Sequence, residues 1–158
     1  MTQMRRKERE KEKAFAYKVI DKAEYGVLAL VDENNRSYAI PLSFVRIDDT
    51  IYIHSANEGK KLELIKKNSN VSFTCVGDTQ LLSSQFSTYY ESAVLFGKAS
   101  IVESNEEKQR SLEAIAAKYS PAFAKEALAY IKKNWERTTL IRIEIESISG
   151  KANMPKNN

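Results

Sequence analysis

The chain has one cysteine, one histidine, one tryptophan, five glycines and three prolines in 158 residues. A single cysteine rules out an internal disulfide framework and any cysteine-built metal centre. With one histidine besides, a zinc site would need a cluster of carboxylates, and none is legible, so no metal is expected. One histidine and no G-x-S-x-G elbow leave no serine–histidine–carboxylate triad. The scarce glycines form neither G-x-G-x-x-G nor a Walker loop, which argues against a Rossmann or P-loop nucleotide site. No apolar run reaches the ~20 residues of a membrane helix, and Met1 to Glu10 has no secretory apolar core. A cytoplasmic protein of one domain over 1–158, with residues 1–9 and 151–158 flexible, is the expectation.

What is present is an ordinary globular composition, 42% hydrophobic and 29% charged, with a net charge of +4. Lysine and arginine are interleaved with glutamate, and no stacked-aromatic signature accompanies them, so no nucleic-acid partner is expected. The excess of positive charge does favour small anions. Cys75 shares a strand face with Val71 and Phe73 and reads as an inert core thiol.

Hydrophobic spacing predicts helices over about 10–24, 58–67, 105–118 and 122–134, the last two parted at Ser120-Pro121. Strands are expected at Val27–Val31, Tyr38–Phe44, Ile51–His54, Val71–Val76, Tyr89–Val102 and around Ile141, Ile143 and Ile145, with Gly77–Ser87 as a polar loop. Pro41 gives its strand an edge or ligand-facing character, because it removes one ladder N–H. Short strands linked by hairpins imply a mainly β, antiparallel sheet or barrel rather than a βαβ fold.

The densest chemistry lies in Ile53-His54-Ser55-Ala56-Asn57-Glu58-Gly59-Lys60-Lys61-Leu62. A strand ends, a polar turn follows, and a helix starts with Lys60 and Lys61 against its own macrodipole. Lysines beside unpaired helix N–H groups make an anion or phosphate site, with Ser55 to orient the ligand. Two solvated surface lysines would read the same way. His54 ends the strand beside this site, where it could contact a planar ligand or move a proton. It could equally be a strand-end histidine with no task. Pro41 and Ser43 alternate with Ile40, Leu42 and Phe44, and backbone freed near Pro41 could meet a heteroaromatic ring.

Several of these strings together resemble the flavin-binding split-barrel family related to pyridoxamine 5′-phosphate oxidase, and within it the 5-nitroimidazole resistance proteins. They are Met4-Arg5-Arg6-Lys7-Glu8, Pro41-Leu42-Ser43-Phe44, Ile51-Tyr52-Ile53-His54-Ser55-Ala56 with Gly59-Lys60-Lys61, Asn68-Ser69-Asn70-Val71-Ser72-Phe73, Tyr90–Ala99 and Ile143-Glu144-Ile145. The resemblance implies a six-stranded antiparallel split β-barrel with flanking helices. It also implies a homodimer with FMN bound at the subunit interface. Pro41, Leu42, Ser43 and Phe44 would run along the flavin ring, His54 and Ser55 would flank it, and Lys60 and Lys61 would take its phosphate. His54 becomes the candidate catalytic residue. The activity implied is FMN-dependent reduction of a small planar acceptor such as a nitroaromatic compound. Two alternatives stand beside it: a non-catalytic flavin- or haem-binding protein of the same fold, and an unrelated anion-binding barrel.

The chain departs from the likeness in three places. Ala39 falls where the oxidases carry a phosphate-binding arginine. The vitamin-oxidase substrate residues near the C-terminus are not legible, which argues against pyridoxamine phosphate oxidation. Glu91 stands where resistance proteins often have a basic residue.

Overall fold

The computed structural model describes residues 4–155. Strand β1 (Glu10–Lys11) leads into helix α1 (Lys13–Lys22), and β2 (Gly26–Val31), β3 (Ser37–Leu42), β4 (Val45–Ile47) and β5 (Thr50–Ser55) follow. Helix α2 (Lys60–Lys67) precedes the long hairpin β6 (Asn70–Leu82) and β7 (Ser87–Ile101). Helices α3 (Asn105–Tyr119) and α4 (Ala124–Asn134) then lead to β8 (Thr139–Asn153). No helix among the described residues is long and apolar enough to cross a membrane.

All strands pair antiparallel in the order β3-β2-β6-β7-β8-β5-β4, with β1 added on β8. The outermost strands, β3 and β4, are joined by only Ser43 and Phe44. So short a link holds the two ends of the sheet together, yet β3 and β4 do not pair. The result is a split barrel, mainly β as expected, but with eight strands rather than six. β4 escaped the sequence reading because three residues show no usable alternation. β1 escaped because it is two exposed residues.

Two further expectations are corrected. Gly77–Ser87 is not a loop: β6 continues to Leu82 across a bulge between Val76 and Thr79, and only Ser83–Phe86 turns. Main-chain pairing needs no apolar side chains, so a polar hairpin arm hides from hydropathy. The tail from Lys151 also pairs as far as Asn153, whose Nδ2 donates to the Thr88 carbonyl at 2.7 Å. At the other end, residues 7–9 form a 3-10 turn, with an Arg9 guanidinium nitrogen 3.4 Å from the Tyr90 hydroxyl. Residues 1–3 and 156–158 of the expected flexible ends lie outside the described residues.

Leu28, Leu30, Phe44, Ile51, Ile53, Phe73, Leu95 and Ile143 fill the barrel and are essentially inaccessible. Each buried side chain of this size contributes roughly 1.5–3 kcal/mol. Phe44 meets Phe73 edge-on, with centroids 4.9 Å apart. Gly97 is obligatory, because a Cβ there would lie 2.1 Å from the Glu144 carbonyl oxygen. Helix α1 covers the core with Ala16, Val19 and Ile20, and α2 with Leu62, Leu64 and Ile65.

A second apolar cluster forms on the outer face of the barrel. There Tyr52 and Leu140 meet Leu112 and Ile115 of α3 and Ile131 of α4. Helix α3 is N-capped by Ser104, whose hydroxyl accepts the Glu107 N–H at 3.2 Å. Glu107 in turn accepts from the Tyr52 hydroxyl at 2.9 Å and from Arg142, which fastens α3 to β5 and β8. These contacts set the helical hairpin over the end of β5.

Candidate functional site

A cavity of about 660 Å³ lies between the end of β5 and the α3–α4 hairpin. That volume suits a small organic ligand. His54 and Ser55 line one side, and Leu112, Ile115 and Ile131 supply an apolar floor. The alternation of β5 accounts for His54, while Ser55 falls on the opposite face with Ile51 and Ile53. Ile51 and Ile53 point into the barrel, so Tyr52 and His54 point outward under the helices. Tyr52 is sealed by the second cluster, whereas His54 opens onto the cavity, partly enclosed by its walls.

Ser55 is 7% exposed and its hydroxyl oxygen has no hydrogen-bond partner. A buried hydroxyl without a partner is uncommon, and this one is closed off from the cavity its residue borders. His54 has its pKa pushed down, first by burial and then by the charge of Lys61. At neutral pH its imidazole is therefore held in the uncharged form, with one N–H to donate and one nitrogen to accept.

Lys60 and Lys61 open α2 behind Gly59, whose φ of +131° suits glycine alone. Neither the Lys60 nor the Lys61 backbone N–H meets a protein acceptor among the described residues. The Lys60 ammonium lies 4.5 Å from the centroid of the Tyr38 ring on β3, and neither lysine forms an ion pair among the described residues. Both heads are free to meet an anion. Lys66 and Lys67 sit in the last turn, where they complement the dipole.

The strand at Pro41 has a different relation to the cavity. Pro41 faces solvent on edge strand β3 opposite Val27, and Ser43 is exposed in the link to β4. Leu42 and Phe44 turn inward, Phe44 completely. None of the four lines the cavity. The connection is Tyr119, which does line it and whose hydroxyl accepts the Phe44 N–H at 2.9 Å while donating to the Glu24 carbonyl at 2.7 Å. The sequence reading did not single out Tyr119, Asn134 or Arg137, because both helices were legible but their docking was not.

Glu91 and Cys75 lie away from this cavity. Glu91 is buried in β7, where it pairs with Lys22 of α1 and accepts the Asp78 N–H at the β6 bulge, 3.3 Å away. Cys75 is 1% exposed, and burial pushes its thiol up to about 12, as an inert core cysteine requires. No group of acidic residues, histidine and cysteine able to hold a metal occurs among the described residues.

No curated protein sequence matches the chain. A crystal structure from Bacteroides thetaiotaomicron, named a "putative 5-nitroimidazole antibiotic resistance protein", shares 26% identity over 90% of this chain and 84% of its own, with a TM-score of 0.77. A conserved hypothetical protein from Mycobacterium tuberculosis covers 99% of this chain and 98% of its own at 15% identity and TM-score 0.81. An FAD and heme binding protein from Mycobacterium smegmatis covers 93% and 75% at 22% identity and TM-score 0.75. The last two likenesses establish the fold alone. The family model for pyridoxamine 5′-phosphate oxidase matches residues 12–152, from the start of α1 to the end of β8. By that match the chain belongs to the pyridoxamine 5′-phosphate oxidase family.

Proposed function

We propose that the protein is an FMN-dependent oxidoreductase that passes electrons from a reduced donor to a small planar acceptor, of which a nitroaromatic compound is the leading candidate. The observation that carries this reading is the cavity bordered by neutral His54 and by Ser55 at the end of β5, with Lys60 and Lys61 at the adjoining helix start. These residues fit the cofactor. Lys60, Lys61 and the free N–H groups of α2 would hold its phosphate, Ser55 would flank the ring, and the exposed backbone at Pro41 and Ser43 would border it. The flavin, when bound, supplies the redox chemistry.

The chain's own part is binding, orientation and charge. Leu112, Ile115 and Ile131 keep water from the cavity floor, which strengthens every polar contact made there. The His54 imidazole, uncharged near neutral pH, donates its N–H to negative charge developing on the acceptor rather than delivering a full proton. The absence of an arginine at Ala39 leaves phosphate binding to the lysine pair.

Association as a homodimer, with the cofactor at the subunit interface, belongs to the same proposal. It is supported by exposed Val76, Leu81, Phe86 and Phe96 on the β6–β7 hairpin. Light scattering on the purified protein tests it, and a monomer at micromolar concentration would defeat it.

A non-catalytic flavin- or haem-binding role is favoured by one observation: a neutral, exposed imidazole at the mouth of an apolar cavity could also ligate iron. The visible spectrum after incubation with FMN, or with haemin, and desalting separates the readings. Retained flavin bands with donor-dependent bleaching support the oxidoreductase, flavin bands without turnover support the binding protein, and a Soret band supports haem. A protein that retains neither removes both.

A further inference from the structure

We infer that the cavity beneath the α3–α4 hairpin is a site for a monocyclic aromatic carboxylate, anchored by Arg137; as the acceptor site of the proposed oxidoreductase, the assignment rests on that reading. The walls divide by chemistry. The floor is aliphatic, and Phe123 and Tyr130 stand at the mouth with 60% and 70% of their surfaces exposed. Exposed aromatic rings around an apolar cleft suit a flat ring that stacks on them.

Arg137 also lines the cavity, and its guanidinium forms no ion pair or hydrogen bond among the described residues. Its turn is nevertheless held. The Asn57 side chain donates to the Glu136 carbonyl at 2.6 Å and accepts from the Thr139 hydroxyl at 2.9 Å, tying this turn to the loop that leads into Lys60. An unpaired guanidinium on an anchored turn is placed to take a carboxylate through two N–H groups. Glu126 lines the cavity too and forms no ion pair with Arg137, so it opposes an anion. Lys61 adds positive potential on the His54 side. The balance of charge around the cavity favours an acid over an amine.

The site adjoins the groups that would hold the cofactor and meets them at His54 and Ser55, whereas neither Lys60 nor Pro41–Phe44 lines it. Isothermal titration of the full-length protein with 4-nitrobenzoate, nitrobenzene and benzylamine, before and after FMN loading, tests the assignment. Nitrobenzoate should bind more tightly than the other two. Arg137→Ala should weaken nitrobenzoate about 10-fold and leave nitrobenzene unchanged, while Glu126→Gln should tighten nitrobenzoate. Ala127→Trp, which fills the cavity, should abolish both nitro ligands with the circular dichroism spectrum and Tm retained.

Equal nitrobenzoate affinity in Arg137→Ala, binding that survives Ala127→Trp, or preference for benzylamine would overturn the assignment. Loss of FMN binding in Ala127→Trp would give the cavity to the cofactor, so the inference would fall and the flavin reading would stand. A protein that binds nitrobenzoate but never FMN would keep the anion site and end its role as an acceptor site.

Discussion

The Tyr119 hydroxyl, at the end of α3, accepts the backbone N–H of Phe44 at the seam of the barrel. One side chain thereby fastens the helical hairpin to the two-residue link between the outermost strands. It also donates to the Glu24 carbonyl. Tyr119→Phe removes both bonds and leaves the Phe44 N–H without its partner. The expected loss is about 1–3 kcal/mol in urea unfolding. An unchanged midpoint would show that water replaces the hydroxyl.

Lys60 and Lys61 are expected to act together on a phosphate. In the Lys60→Ala, Lys61→Ala double variant, FMN affinity should fall by about 2–4 kcal/mol, at roughly 1.5–3 per charged hydrogen bond with incomplete additivity. Riboflavin, which has no phosphate, should lose nothing. Equal losses for both ligands would place the lysines elsewhere on the cofactor.

Lys118 carries an ammonium that is buried, lacks a hydrogen-bond partner and lies 3.9 Å from the centroid of the Phe44 ring. Its pKa is lowered by desolvation, which outweighs the opposing pull of Cys75 and Asp21. The unfolded chain therefore binds this proton more tightly, and stability rises with pH from the folded pKa up to the ordinary value of 10.5. Lys118→Met should stabilise the protein by about 1 kcal/mol at neutral pH. The gain should vanish above the lysine's ordinary pKa, as chemical unfolding at several pH values would show.

His54 follows the same sign. Its folded pKa lies below the ordinary 6.5, so it leaves stability unaffected above that value and penalises the fold as pH drops through it. His54→Gln should flatten the acid limb of the stability curve. In the flavin-loaded enzyme the same variant should lower acceptor reduction with flavin retained. Unchanged rates would remove His54 from the chemistry.

Cys75 should not react with a disulfide reagent such as dithionitrobenzoate in the native protein, because its thiol is buried and its pKa pushed up to about 12. One equivalent should react in denaturant. Rapid native labelling would mean that the barrel opens at β6.

Much of the fold was legible because the barrel repeats simple patterns. Ile141, Ile143 and Ile145 alternate with charged residues, and hydrophobic spacing places α3 at about 105–118 before any contact is known. The polar arm Thr79–Leu82 was not legible, because its reason to be a strand is the facing segment Ser87–Tyr90, not its own side chains. Glu91 shows the same limit from the other side. Its departure from the family pattern was visible in the sequence, but its pairing with Lys22, 69 positions earlier in the chain, was not.

By itself the sequence determined which side chains turn inward along the apolar strands, where α2 and α3 begin, and that Lys60 and Lys61 oppose a helix dipole. Those are local properties, decided by side-chain period and by backbone groups within one turn. Only the tertiary structure decided that β3 and β4 close a seam without pairing and that Tyr119 clasps it. It alone brought Ser55, His54 and Arg137 around one cavity. The clasp and the cavity bring together residues from 75 to 83 positions apart, and nothing local records them. They arise from the way the curled sheet and the helical hairpin bury their apolar faces against each other.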